Sequence, residues 1–129
     1  MKSEPDNAGM SHSRLFLRLY AEIETIYQAR SLAQKLIIEL KTCSPVVLHR
    51  FFKYWKIPTY YGFEFDFYPD ASYEEAFDCI IALSPDDWSL TASMTERSSA
   101  WTLKRGGIFL ADQVRWANLE LFYDRNPES

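Results

Sequence analysis

Two histidines, His12 and His49, are the only side chains here whose ordinary pKa lies near neutral pH. His12 sits in a polar N-terminal stretch, and His49 stands among Arg50, Lys53 and Lys56, the setting of a surface histidine more than of a general base. Paired carboxylates occur at Glu64 with Asp66, Asp86 with Asp87, and Glu120 with Asp124. Such pairs can serve hydrolysis or hold a divalent cation. Their spacing is that of any solvated strand or turn, and no glycine-punctuated loop frames them. A glycine-rich phosphate loop, a nucleophile elbow, an HExxH motif and a CxxC pair are all missing from the sequence. The expectation is a non-enzyme with no catalytic residue, metal or cofactor. Cys43 and Cys79 have no histidine or cysteine at metal spacing and are expected to be buried free thiols.

Charge is distributed unevenly. Residues 57–96 carry nine carboxylates (Glu64, Asp66, Asp70, Glu74, Glu75, Asp78, Asp86, Asp87, Glu96) and no lysine or arginine, although the net charge of the chain is only -4. Nine aromatics are interleaved with these acids, from Tyr60 to Trp88, which a disordered acidic tract would lack. Phe63, Phe65 and Phe67 alternate with Glu64, Asp66 and Tyr68, the pattern of a half-buried strand with an acidic outer face. Uncompensated acids repel one another unless a basic partner relieves them. The partner-binding residues expected from charge and exposure are Glu64, Asp66, Tyr68, Asp70, Glu74, Glu75, Asp78, Asp86, Asp87 and Trp88. Arg50, Lys53 and Lys56 with Tyr54 and Trp55 have the composition of a nucleic-acid surface. Three charges on an acidic chain are better matched to its own acids, so no nucleic-acid partner is expected.

The elements that must position these residues follow from periodicity. Leu15, Leu17, Leu19, Ala21 and Ile23 alternate with Arg14, Phe16, Arg18, Tyr20 and Glu22, predicting a first strand. Thr25 and Gln28 form a capping box for a helix from about Ile26 to Thr42. Val46 to Trp55 is ambiguous. Ser44-Pro45 as a helix start, with Val47, Leu48, Phe51, Phe52 and Trp55 on one side, favours helix. Tyr60 to Tyr68 is the acidic-faced strand, and Ser72 with Glu75 opens a helix whose stripe runs from Tyr73 to Ile81. Trp88 to Met94 and about Trp101 to Arg105 read as strands paired across Ser98 and Ser99, with a turn at Gly106 and Gly107. Val114 to Asp124 admits a strand or a helix capped by Asp112, and strand is the reading adopted.

With 129 residues the chain is expected to form a mobile arm over 1–13 and one α+β domain over 14–129. The fold class expected is a mixed, mostly antiparallel sheet with helices on one face, related to the ferredoxin-like sandwich, in the order βααβαβββ. The polar N-terminus does not read as a signal peptide, and no apolar run reaches the roughly 18 residues of a membrane span. A cytoplasmic, reducing home is the corresponding expectation.

In size, in the run Phe63 to Asp70, in Trp88 and Trp101, and in the closing stretch Arg115 to Tyr123, the chain resembles the small immunity proteins of bacterial polymorphic-toxin and contact-dependent growth inhibition systems. The resemblance implies a cytoplasmic toxin inhibitor that works by protein-protein interaction. Its partner would be the C-terminal domain of a cognate toxin, frequently a cationic nuclease, met by an acidic, aromatic-rich surface. The unbound chain would be a monomer or weak homodimer. An alternative from the residues is a small homodimeric α+β ligand-binding domain or enzyme, with Phe16, Tyr20, Trp116 and Phe122 at its interface.

Overall fold

Alternation from Arg14 onward builds β1 (Arg14–Glu22), whose Leu15, Leu17, Leu19 and Ala21 are fully buried on one side. The structure, a computed structural model, describes residues 13–84, 88–93, 96–102 and 108–123. The expected arm, Asp86, Asp87, Asp124, and the turn at Gly106 and Gly107 lie outside the described residues, apart from Ser13 of the arm. Thr25 opens α1 (Ile26–Leu40) with the full capping box: its hydroxyl accepts from the Gln28 N–H, and its own N–H donates to the Gln28 side chain. The remaining elements are β2 (Val46–Lys53), β3 (Tyr60–Phe67), α2 (Tyr73–Ala82), β4 (Trp88–Ala92), β5 (Glu96–Thr102) and β6 (Val114–Phe122). Ser72 caps α2 by accepting from the Glu75 N–H.

The six strands form one sheet in the order β2-β3-β1-β6-β5-β4, with every pairing antiparallel. Leu17, Leu19, Phe63, Phe65, Leu119 and Leu121 project from it into one core shared with Leu36 of α1 and Phe77 of α2, so both helices cover the same face. The α+β class and the one-sided helices are as the sequence indicates. The order is βαββαβββ, not βααβαβββ, and the sheet is not mixed.

The second helix does not form. Residues 46–53 are the edge strand β2, and its pairing with β3 shifts register between Leu48 and Arg50. That bulge inserts one residue, so the inward-facing Leu48 and Phe51 come to lie three apart, which imitates helical spacing in the sequence. Ser44 does not cap a helix; its hydroxyl donates to the Pro45 carbonyl. The β4–β5 pairing runs from Trp88 opposite Trp101 to Ala92 opposite Arg97, so Ser98 and Ser99 are inside β5 and not at the turn. Cys43 and Cys79 are not free thiols: they form a disulfide, with Cα atoms 5.6 Å apart, that ties the end of α1 to α2.

Gly62 is required by a close approach. It faces Tyr20 across β1 and Phe52 across β2, and a Cβ there would lie 2.4 Å from the Phe52 ring. Gly62→Ala is expected to displace that ring and lower stability by about 1–2 kcal/mol. Urea unfolding checks this, and an unchanged midpoint would contradict the close packing.

Candidate functional site: the open face of the sheet

Among the described residues no helix or strand lies over the face turned away from the helices, yet it holds buried side chains. Phe16 is 7% exposed, Glu64 5% and Asp66 8%. They pack against the cations beside them. The β1–β3 register sets Arg18 directly opposite Glu64, and the β2–β3 register sets Arg50 opposite the same residue on the other side. Arg18 Nε donates to Glu64 Oε2 at 2.9 Å, with Arg50 Nη1 at 3.9 Å from that oxygen. Arg14 Nε donates to Asp66 Oδ1 at 2.9 Å, and His49 Nδ1 lies 3.3 Å from Oδ2. The guanidinium groups of Arg14 and Arg18 lie 4.6 and 5.6 Å from the Phe16 ring centroid, and the His49 ring meets it edge-on.

At the other end of the face Tyr20 is an aromatic hub. Its ring centroid is 4.5 Å from that of Tyr54, 5.4 Å from Trp116 and 6.2 Å from Phe52, and Arg50 lies over the Phe52 ring at 4.5 Å. Burial holds the Tyr20 phenol above its ordinary pKa, with the nearby Arg18 pulling the other way. On β5 and β6 the face carries Glu96 and Glu120, neither with an ion pair among the described residues, diagonal to each other around the Ser98–Glu120 and Glu96–Phe122 partners.

The residues expected to form one acidic surface are divided between the two sides of the sheet. Glu64 and Asp66 are on the open face but are compensated by Arg14, Arg18, His49 and Arg50. Glu74 and Asp78 are on the helix side, where they accept from Arg97 at 2.7 and 3.2 Å while its guanidinium lies 4.4 Å from the Phe77 centroid. Burial opposes the charged form of Arg97, and the bonds to Glu74 and Asp78 overcome it, holding its pKa above the ordinary value. Trp88 is half-buried on that side, edge-on to Phe109. Tyr68, Asp70 and Glu75 are exposed beyond β3 and at the start of α2.

Arg14, Arg18, His49, Phe52 and Tyr54 were not among the expected site residues. A signal for the first two was present: the outward face of β1 reads Arg14, Phe16, Arg18, Tyr20, and cations at two-residue spacing match acids at two-residue spacing on a neighbouring strand.

Among the described residues no group of three His, Cys, Asp or Glu is placed to share a metal ion, and no helix is long and apolar enough to cross a membrane. Comparison with protein-family models, with curated proteins and with solved structures found no match to this chain.

Proposed function

We propose that this chain is a protein-binding domain of the immunity type, which docks the open face of its sheet on a cognate toxin domain and neutralises it. The observation that carries this reading is the layer of buried, mutually locked side chains around Phe16, Glu64 and Tyr20, over which no described helix or strand packs. Groups already fixed by neighbours lose little conformational freedom on association, so their contacts are not offset by ordering. A basic toxin surface finds its acids at Glu96 and Glu120, beside Phe122 and on the same face as Trp116, not at Glu64 and Asp66, whose charge is already matched.

The test is co-expression with the C-terminal domain of a large secreted protein encoded beside this chain's gene, with growth as the readout. Protection is expected. Its loss is expected in the Trp116→Ala and Glu120→Lys variant, with affinity falling at least tenfold by calorimetry and the melting temperature little changed. Lack of protection by the wild-type chain would overturn the reading.

A second reading is favoured by one observation, that Tyr20, Trp116 and Phe122 share the open face with Phe16. In it the occupant is a second copy of the chain. Light scattering separates the two: a monomer at high micromolar concentration removes the homodimer.

A further inference from the structure

One sheet edge carries exposed positive charge beside an exposed tryptophan. Among the described residues β2 is an edge strand, paired with β3 alone. From its bulge to the hairpin tip it carries Arg50, Lys53 and Lys56, and among the described residues neither lysine makes an ion pair. Arg50 is at the outer end of the Glu64 pair, 3.9 Å away, with Arg18 already on the same oxygen. Beside these cations Trp55 is 80% exposed, and Lys56 Nζ lies 5.3 Å from its ring centroid.

The backbone of this edge is oriented for pairing. The Tyr54 N–H donates to the Tyr60 carbonyl, which points Tyr54 towards β3. By the alternation of an antiparallel ladder, Phe51 and Lys53 turn their N–H and C=O groups outward. An exposed edge of this kind is a template for another strand. Its own copy is a poor occupant, because two such edges would set Arg50, Lys53 and Lys56 against the same charges. An extended chain with acidic side chains has the matching hydrogen bonds and the opposite charge.

We propose that the outer edge of β2, from Phe51 to Lys56, is a second binding site, beside the open face, that takes an acidic extended polypeptide segment as a seventh strand. Main-chain hydrogen bonds to Phe51 and Lys53 hold the segment in register, its carboxylates meet Lys53 and Lys56, and an apolar side chain rests on Trp55. Single-stranded nucleic acid fits less well. It needs several free ring faces, whereas Tyr54 is packed on Tyr20 and Phe52 is covered by Arg50.

The test uses the isolated chain and a short peptide of alternating Glu and Val, followed by amide NMR. Saturable shifts are expected at Phe51 and Lys53, weakening with salt, while an alternating Lys and Val peptide gives none. The Lys53→Glu and Lys56→Glu variant should bind the acidic peptide about tenfold more weakly. Lys53→Pro, which removes an outward N–H and leaves the β3 ladder intact, should weaken it as well. No shifts with the acidic peptide, or equal affinity in the charge-reversed variant with its fold intact, would overturn the proposal. So would shifts with oligo-dT or phosphatidylserine vesicles in place of the peptide. None of these outcomes depends on whether a toxin is the partner of the open face.

Discussion

Glu64→Lys is expected to lower the stability of the domain by about 3 kcal/mol or more. Glu64 is the shared anion between Arg18 and Arg50, and its side chain is almost wholly enclosed. A lysine there would remove the carboxylate they share and gather three cations in one cross-strand row. The melting temperature should fall by about 10 °C. Glu64→Leu should cost less, because Arg18 and Arg50 are themselves partly exposed and can turn to water. A melting temperature unchanged in Glu64→Lys would show that the ion pairs do not form. The same geometry makes a Glu64→Lys and Asp66→Lys pair unsuitable as a binding test, since loss of fold would precede loss of any interface.

The second large effect is at the disulfide. Cys43 and Cys79 are 36 residues apart, and closing a loop of that length restricts the unfolded chain enough to stabilise the fold by about 4 kcal/mol. Cys43→Ser with Cys79→Ser is expected to unfold at markedly lower urea, and the wild-type chain under dithiothreitol should match it. Equal midpoints for oxidised and reduced chain would contradict a native disulfide. Since α2 is also held by Phe77 in the core and by Arg97 through Glu74 and Asp78, the reduced protein should keep its sheet.

Local signals in the sequence carried most of the fold. The alternation of β1, the capping box at Thr25 and the burial stripe of α1 each depend on residues within a few positions, and each is found where those residues predict it. Phe63 to Phe67 likewise faces the core with Glu64 and Asp66 on the other side. What failed was non-local. The bulge in β2 changes the phase of its inward residues, and a phase change in a strand is indistinguishable by periodicity from part of a helix. The Cys43–Cys79 link joins segments that no spacing rule relates.

The site was legible in composition but not in partnership. Counting charge along the chain made Glu64 and Asp66 appear uncompensated, because their cations come from Arg14 and Arg18, about fifty positions earlier, and from His49 and Arg50 across the hairpin. Strand order decides which charges meet, and that order places β3 between two strands that carry the cations. The carboxylates left over on the open face, Glu96 and Glu120, are separated by more than twenty residues and become neighbours only through the β5–β6 register.

The most direct measurement of the central claim is cross-saturation NMR on this chain mixed with the toxin domain proposed as its partner. Saturating the toxin should attenuate ring signals on the open face, at Tyr20, Phe52, Tyr54, Trp116 and Phe122, and leave the helix-side residues Tyr27 and Ile38 untouched. Attenuation at Tyr27 and Ile38, with the open face unaffected, would contradict the account.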